Sequence, residues 1–221
     1  MAVDGAGAIY VATVNTTTSA TTYTYSILVF APGADGNAAP IRTIVVGDAA
    51  NPRGCSELAV DGNGNIICSI NEVGLIQVFT NPLTGSGTLA RAISTADSNS
   101  SWREIAGLSL DPAGNIYVAA TGELDIGLPA TIVEFAGGTV GTGTPINTLA
   151  TAALPSFVGI LNLGFDAAGN LFVYESGTAA SMGDPTVMRF AAAANGFASP
   201  TTEVLTSFPI ARGIPTGFSV H

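Results

Sequence analysis

Short apolar segments alternate with clusters of Gly, Asp and Asn along the whole chain, which is typical of many short strands joined by tight turns. One pattern occurs four times: two apolar residues flanking any residue, then Asp, two residues, Gly, and a further residue before a second apolar run, which is Asn in three copies and Ala8 in the first. The copies occupy residues 2–11, 58–67, 108–117 and 163–172, with Asp4, Asp61, Asp111 and Asp166 at equivalent positions. Self-similarity at a period of about 50 residues indicates a repeat architecture.

Each repeat carries two further anchors at a constant separation. An apolar segment ends on Phe in every repeat, at Phe30, Phe79, Phe135 and Phe190. Ten residues later stands Pro or Leu, at Pro40, Leu89, Pro145 and Pro200. Each repeat therefore predicts four strands, which in the third repeat are 106–111, 115–120, 130–135 and 145–150.

These repeats predict an all-β fold, a β-propeller built from four-stranded antiparallel blades, with four repeats plus one strand of a fifth. The length of 221 residues predicts a single propeller domain over 1–221. Its blades span approximately 1–50, 51–100, 101–155 and 156–210, and an extra strand covers 214–221.

The repeated Asp-x-x-Gly-Asn segment is predicted to be the turn between the first two strands of each blade. Asp caps its own turn, Gly takes the positive φ angle, and Asn tolerates the return into the strand. We therefore expect these polar residues to have a structural role.

This signature resembles that of the NHL and SMP-30-like β-propeller repeat family, whose blades carry a similar Asp-x-x-Gly-Asn-apolar-aromatic-Val-Ala segment. Residues 111–119 are the most similar copy, and the resemblance extends through all four repeats. The family includes both enzymes and scaffolds, so the resemblance implies a blade architecture and does not imply one activity.

The C-terminal residues predict an assembly strand. Gly217, Phe218, Ser219, Val220 and His221 align with residues 107–111, the innermost strand of a blade, although residues 2–4 already supply that strand for the first blade. Three explanations stay open: the chain is an excerpt of a longer protein, several copies complete one ring, or the strand inserts into the next subunit.

Composition and charge exclude several partners. The chain has 16 acidic residues against 6 basic ones, all of them Arg, for a net charge of −10. Such a surface repels phosphate backbones, so we expect no nucleic acid partner. No run of 18 apolar residues occurs, so we expect no membrane insertion, and the N-terminus lacks the regions of a signal peptide. The low charge and the absence of Lys favour an extracellular or cell-surface location.

The two cysteines are predicted to be free, mostly buried thiols. A hairpin around Asp61 and Asn65 places Cys68 opposite Leu58, which leaves Cys55 about 10 Å further along an extended strand. That separation is too long for a disulfide bond.

No catalytic or metal-binding residue is predicted from the motifs, and no cofactor is expected. His221 is the single His of the chain, so a Ser/His/Asp triad and His-rich metal sites are excluded. Asp61, Asn63, Asn65 and Glu72 have the spacing of a calcium-binding EF-hand loop, but Ile66 replaces its essential Gly. We interpret that spacing as coincidence.

A rim of charged residues around the mouth of the central channel is the candidate ligand site. Arg side chains there would bind a carboxylate or a sugar, or would instead form ion pairs with neighbouring Glu residues. The rim comprises Arg53, Arg103 and Arg212 with Glu57, Glu72, Glu104, Glu123, Asp125 and Glu175. The SMP-30-like resemblance implies a channel metal held by Glu, Asn and Asp, for which Glu57, Asn162 and Glu175 are the nearest residues.

Two glycosylation sequons are predicted to lie in polar loops. They begin at Asn15 and Asn99 and would carry glycan in a secreted protein, whereas a plain flexible loop is the alternative.

The sequence favours a non-enzymatic extracellular or surface scaffold that self-associates by strand addition, in a multi-chain ring or in a filament. A carbohydrate or a peptide is a further candidate partner. Binding of such a ligand would fit a third possibility, that the chain is a sensor domain of a larger receptor. The rival hypothesis is a metal-dependent lactonase or lyase with its site in the central channel.

Overall fold

A computed structural model describes residues 1–16, 23–47, 54–70, 74–80, 88–94, 105–120, 131–150, 160–175, 186–191 and 201–203. Within these ranges every regular element is a β-strand. No helix in these ranges is long and apolar enough to cross a membrane. The predicted all-β class is therefore confirmed.

The chain divides into two compact units, Met1–Thr95 and Ala96–His221. The strands of the first unit are β1 (Ala2–Val3), β2 (Ile9–Thr16), β3 (Tyr23–Phe30), β4 (Arg42–Gly47), β5 (Leu58–Val60), β6 (Ile66–Ile70), β7 (Leu75–Thr80) and β8 (Thr88–Ser94). Those of the second unit are β9 (Ile105–Leu110), β10 (Ile116–Ala120), β11 (Thr131–Phe135), β12 (Gly141–Thr142), β13 (Asn147–Ala150), β14 (Ile160–Phe165), β15 (Leu171–Glu175), β16 (Thr186–Phe190) and β17 (Thr201–Glu203).

Each repeat contributes four strands to an antiparallel sheet, and apart from β12 the strands that follow one another along the chain are neighbours in the sheet. The first and second sheets have the orders β1-β2-β3-β4 and β5-β6-β7-β8, and the third and fourth have β9-β10-β11-β13 and β14-β15-β16-β17. The Phe anchors hold equivalent registers, because each pairs with the residue five positions after the repeat's Asp. The pairs are Ile9 with Phe30, Ile66 with Phe79, Ile116 with Phe135, and Leu171 with Phe190.

Within each unit, the forward face of the earlier sheet is the face that packs on the next sheet along the chain, and its rear face is the opposite one. The forward face of the first sheet holds Tyr10, Ile27, Val29 and Ile44, which pack against Leu58, Ile66, Cys68 and Phe79 of the second sheet. The forward face of the third sheet likewise holds Ala119, Ile132 and Leu149, which pack against Leu163, Leu171, Val173, Met188 and Phe190 of the fourth sheet. The second and fourth sheets make these contacts with their rear faces. In both units, forward faces therefore pack on rear faces.

The inner strands β9 and β14 approach each other closely at Gly107. A Cβ atom at this position would lie 3.2 Å from the Asn162 Cα and the Leu163 side chain. Glycine at this position therefore permits the close packing of the third sheet on the fourth.

The prediction of free thiols is wrong, because Cys55 and Cys68 form a disulfide with 5.3 Å between their Cα atoms. The predicted pairing of Leu58 with Cys68 is present. The chain before Leu58 does not continue as an extended strand, however. It bends at Ser56, whose N–H donates to the Ser69 carbonyl at 2.8 Å, while Ser69 N–H donates to the Glu57 carbonyl at 3.0 Å. This bend brings Cys55 back beside Cys68.

The loop position predicted for Asn15 is also wrong, since Asn15 lies in strand β2 with Thr24 of β3 as its partner. Threonine is β-branched and favours extended backbone, so a Thr-rich segment extends these strands. Asn99 lies outside the described residues.

Candidate binding surface

The repeated Asp turns use their polar groups internally. In the second repeat, Asp61 Oδ1 accepts hydrogen bonds from the Asn63 and Asn65 N–H groups, and Asp61 Oδ2 accepts one from Asn65 Nδ2 at 2.8 Å. Asp111 and Asp166 make the same three contacts in their turns. Equivalent glycines at the turns, Gly7, Gly64, Gly114 and Gly169, have φ angles of 76° to 86°. These turns have the predicted structural role.

The first repeat makes the same turn with a different donor. Ala8 stands where the other repeats have Asn, and its N–H still donates to Asp4 Oδ1 at 2.9 Å. The Tyr10 hydroxyl donates to Asp4 Oδ2 at 3.0 Å, in place of the missing Asn side chain. Both carboxylate oxygens of Asp4 are thus engaged.

Hydrogen bonding lowers the pKa of two turn carboxylates, Asp4 and Asp166. Bonds donated by the Asn170 side chain and backbone hold the pKa of Asp166 below its usual value. Burial raises the pKa of Asp4, but bonds from Ala8, Tyr10 and Ala6 together bring it below its usual value. Burial and the Asp4 contact raise the pKa of Tyr10. Charged carboxylates that accept several hydrogen bonds are stabilised in place.

Most of the predicted rim lies outside the described residues: Arg53, Arg103, Arg212, Glu72, Glu104, Glu123 and Asp125. Glu175 ends strand β15, where its backbone pairs with Ile160 and Thr186. The proposed clustering of rim charges therefore stays a prediction. The assembly strand, from Gly217 to His221, also lies outside the described residues.

Two described polar residues stand at equivalent sequence positions in their repeats, Asn162 in the inner strand β14 and Glu57 in the bend just before β5. Glu57 and Asn162 both stand four positions before the Asp of their repeat. Burial raises the pKa of Glu57, although the positive N-terminus of the chain opposes this shift. Asn162 Oδ1 accepts a hydrogen bond from the Leu163 N–H at 2.8 Å. Among the residues that the structure describes, no three His, Cys, Asp or Glu side chains group as metal ligands.

The rear face of the first sheet is apolar at its centre and less buried than its forward face, and it also carries Thr13, Ser26 and Thr43. Strand pairing places Ile9, Val11, Leu28 and Phe30 at its centre, and all four are half-buried. Val3 and Val45 on the same face are 57% and 44% exposed. On the forward face, Ile27 and Ile44 are 0% exposed. We identify this partly exposed rear face as the candidate binding surface.

The sequence held a signal for this surface that strand periodicity could have revealed. Ile9, Tyr10, Val11 and Ala12 form a continuous apolar run, as do residues 27–30. A strand with one face in water alternates apolar and polar residues, whereas a strand buried on both faces is apolar throughout. Strands β2 and β3 therefore have the composition of a sheet that is covered on both faces.

Comparison with solved structures identifies the fold of this chain. No protein-family model and no curated protein matches the chain. Among solved structures, a luciferin-regenerating enzyme matches with a TM-score of 0.58 and 15% identity, over 89% of this chain and 62% of that chain. A protein from Lactobacillus plantarum matches with a TM-score of 0.54 and 14% identity, over 96% of this chain and 56% of that chain.

The third structure, a 6-phosphogluconolactonase-like protein from Bacteroides uniformis, matches with a TM-score of 0.51 and 16% identity, over 88% of this chain and 54% of that chain. These neighbours are β-propeller-like proteins, and the four-stranded antiparallel arrangement of each repeat in this chain is consistent with a β-propeller. The chain has a β-propeller fold. This propeller chain spans only 54% to 62% of the length of the three solved chains.

Proposed function

We propose that the protein is a non-enzymatic scaffold propeller of the extracellular space or cell surface, which self-associates through the rear face of its first sheet. The partly exposed rear face is the observation that carries this proposal. Covering one Val, Leu, Ile or Phe side chain is worth about 1.5–3 kcal/mol when burial is complete. A partly exposed apolar sheet face is therefore a surface with affinity for a partner.

The disulfide supports the extracellular part of the proposal. Both cysteines of the chain are joined in the Cys55–Cys68 bond, which lies beside the core between the first and second sheets. Such structural bonds form and persist in oxidising compartments and are rare in reducing ones. The low charge and the absence of Lys are consistent with the same location.

The proposal is tested by placing charges on the rear face of the first sheet. Val3→Lys with Val45→Lys adds two positive charges to exposed positions, and burying them in a contact would be costly. Size-exclusion chromatography with light-scattering detection should give an oligomer mass for the wild type and the 22.1 kDa monomer mass for this variant.

Two exposed apolar residues elsewhere provide the matched control. Val140 and Ile146, in the third repeat, are 64% and 58% exposed, so Val140→Lys with Ile146→Lys adds the same charge at exposed positions outside the first sheet. This control should keep the wild-type mass. Equal masses for the two double variants would contradict the assignment of the rear face.

A metal-dependent lactonase or lyase is the second candidate function. The equivalent sequence positions of Glu57 and Asn162 in their repeats favour it, and one solved neighbour is described as a 6-phosphogluconolactonase. This candidate predicts one divalent ion per chain by elemental analysis, with loss of that ion in Glu57→Gln. The scaffold proposal predicts no stoichiometric metal in either protein.

The rim residues Arg53, Arg103 and Arg212, with Glu72, Glu123 and Glu175, remain the candidates for a carbohydrate or peptide ligand. Arg is suited to such ligands because its planar guanidinium donates two parallel hydrogen bonds to a carboxylate. Glycan at Asn15 or Asn99 likewise remains a proposal, and it requires export.

A further inference from the structure

The two cysteines of the disulfide bond differ in their exposure. Cys68 lies in strand β6 and is 0% exposed, within the core between the first and second sheets. Cys55 precedes the bend at Ser56 and is only partly buried, and Ser56 itself is exposed. A thiolate that attacks a disulfide must reach one of its two sulfur atoms, so access decides which cysteine is attacked. Cys55 is therefore the more accessible half of this bond.

The bend that carries Cys55 is also held by hydrogen bonds that do not involve sulfur. The Ser56 N–H donates to the Ser69 carbonyl at 2.8 Å, and the Ser69 N–H donates to the Glu57 carbonyl at 3.0 Å. The Glu57 N–H donates to the Ser69 hydroxyl at 3.0 Å. Breaking the disulfide leaves these three bonds in place and keeps Cys55 close to Cys68. Two thiols that are held close together re-form a disulfide readily, since their approach requires no further ordering of the chain.

A buried hydrogen-bond acceptor lies beside Cys68. Gln77 of β7 pairs directly with Cys68 of β6, so their side chains share one face of the second sheet. Gln77 Oε1 is buried and has no hydrogen-bond partner in the described part of the chain. The Cys68 sulfur is 3.7 Å from the Ser69 carbonyl oxygen, but that oxygen already accepts the Ser56 N–H. A disulfide sulfur has no hydrogen to donate to Gln77, whereas a thiol has one.

We propose that the Cys55–Cys68 bond is a thiol-exchange site, which small thiols attack at Cys55, and that Gln77 stabilises the Cys68 thiol that is released. The oxidised chain leaves a buried acceptor unsatisfied, which is unfavourable. The reduced chain supplies the missing donor. Gln77 therefore shifts the equilibrium towards the reduced form. This inference is independent of the proposed self-association.

The exchange proceeds in two steps. The small thiolate forms a bond to the Cys55 sulfur, and the bond between Cys55 and Cys68 breaks with its electron pair on the Cys68 sulfur. Cys68 takes up a proton equivalent to the one that the small thiol lost, because a charge buried among apolar side chains is costly. A second small thiolate then attacks the sulfur of the attached thiol and releases Cys55. The protein disulfide gains two electrons, and two small thiols lose them as they form a disulfide.

Exchange at Cys55 acts on the packing of the first sheet against the second. Cys55 packs against the core that these sheets share. Its neighbour Gly54 lies so close to Tyr25 of the first sheet that a Cβ atom at position 54 would overlap the Tyr25 ring. A molecule attached to Cys55 needs room in these closely packed surroundings, so we expect the mixed disulfide to loosen them. The site thus links the supply of small thiols to the packing of the first unit.

Trapping of the mixed disulfide tests the site of attack. The oxidised wild-type chain is treated with reduced glutathione under folding conditions, quenched by rapid alkylation and analysed by peptide mass spectrometry. Glutathione should be attached to Cys55, with Cys68 alkylated. Two single-thiol variants are matched controls: Cys68→Ala should react with oxidised glutathione at least about tenfold faster than Cys55→Ala, because exposure governs thiol reactivity. Attachment to Cys68, or equal rates for the two variants, would overturn the proposal.

The role of Gln77 is tested by the equilibrium with a glutathione redox buffer. Gln77→Leu removes the acceptor, so the equilibrium constant for reduction should fall about two- to tenfold. Ser109→Ala, which removes a half-buried hydroxyl from the third sheet, should keep the wild-type constant. An unchanged constant in Gln77→Leu would show that Gln77 does not stabilise the thiol. Circular dichroism checks the fold of each variant, and Gln77→Met replaces Gln77→Leu if the latter is unfolded.

Discussion

At the residue scale, the four Asp turns show how one backbone geometry is maintained by two different side-chain solutions. Three repeats use an Asn side chain to donate to the second carboxylate oxygen, whereas the first repeat uses the Tyr10 hydroxyl. The turn was predictable because Asp, Gly and Asn act through local hydrogen bonds and a local φ angle. The tyrosine was not identified, because its contact with Asp4 depends on the pairing of β1 with β2.

Tyr10→Phe should therefore destabilise the first sheet, and Ala8→Asn should rescue it. Loss of one net hydrogen bond costs about 0.5–1.5 kcal/mol, and an unsatisfied buried acceptor costs more. Asn at position 8 should restore the donor, since Asn170 fits the equivalent buried position in the fourth repeat. Urea unfolding of the wild type, the single variant and the double variant measures both effects. Failure of Ala8→Asn to recover stability would contradict this account of the tyrosine.

At the element scale, strand pairing was predicted well where the chain is regular and poorly where it bends. The third repeat was predicted to have strands 106–111, 115–120 and 130–135, and the structure has Ile105–Leu110, Ile116–Ala120 and Thr131–Phe135. The Cys55–Cys68 bond was missed because the separation was calculated for a straight strand. The Glu57 N–H bond to the Ser69 hydroxyl, at 3.0 Å, helps to hold the bend instead.

The disulfide should stabilise the second sheet against unfolding. Its cysteines are 13 residues apart in sequence, and closing a loop of this size contributes about 3 kcal/mol in the chain-entropy account. Reduction of the wild type should lower the urea midpoint. The same reductant should not affect Cys55→Ala with Cys68→Ala, which serves as the control. An unchanged midpoint for the reduced wild type would show that the bond contributes no stability.

At the scale of the whole molecule, the important feature is the difference between the two faces of the first sheet. The forward face packs in a core, while the rear face presents Val3 and Val45 to solvent. Sequence repeats predicted the sheets, but they could not show which sheet face is more exposed, because burial depends on contacts between repeats. For the same reason, the rim residues Arg53 and Arg103 remain a prediction.

The self-association expected from the residues 214–221 and that proposed from the rear face are separable. The first depends on strand addition by the C-terminal segment, whereas the second depends on packing between two sheet faces. Loss of association in Val3→Lys with Val45→Lys would favour face packing. Retained association in that variant, with loss on deletion of residues 214–221, would favour strand addition.

The most direct test of the central claim is the mass of the wild-type chain in solution over a wide concentration range, measured by sedimentation equilibrium. A propeller whose first sheet binds a second copy should have an average mass that rises with concentration above the monomer value of 22.1 kDa. A mass that stays at the monomer value at every concentration would contradict it.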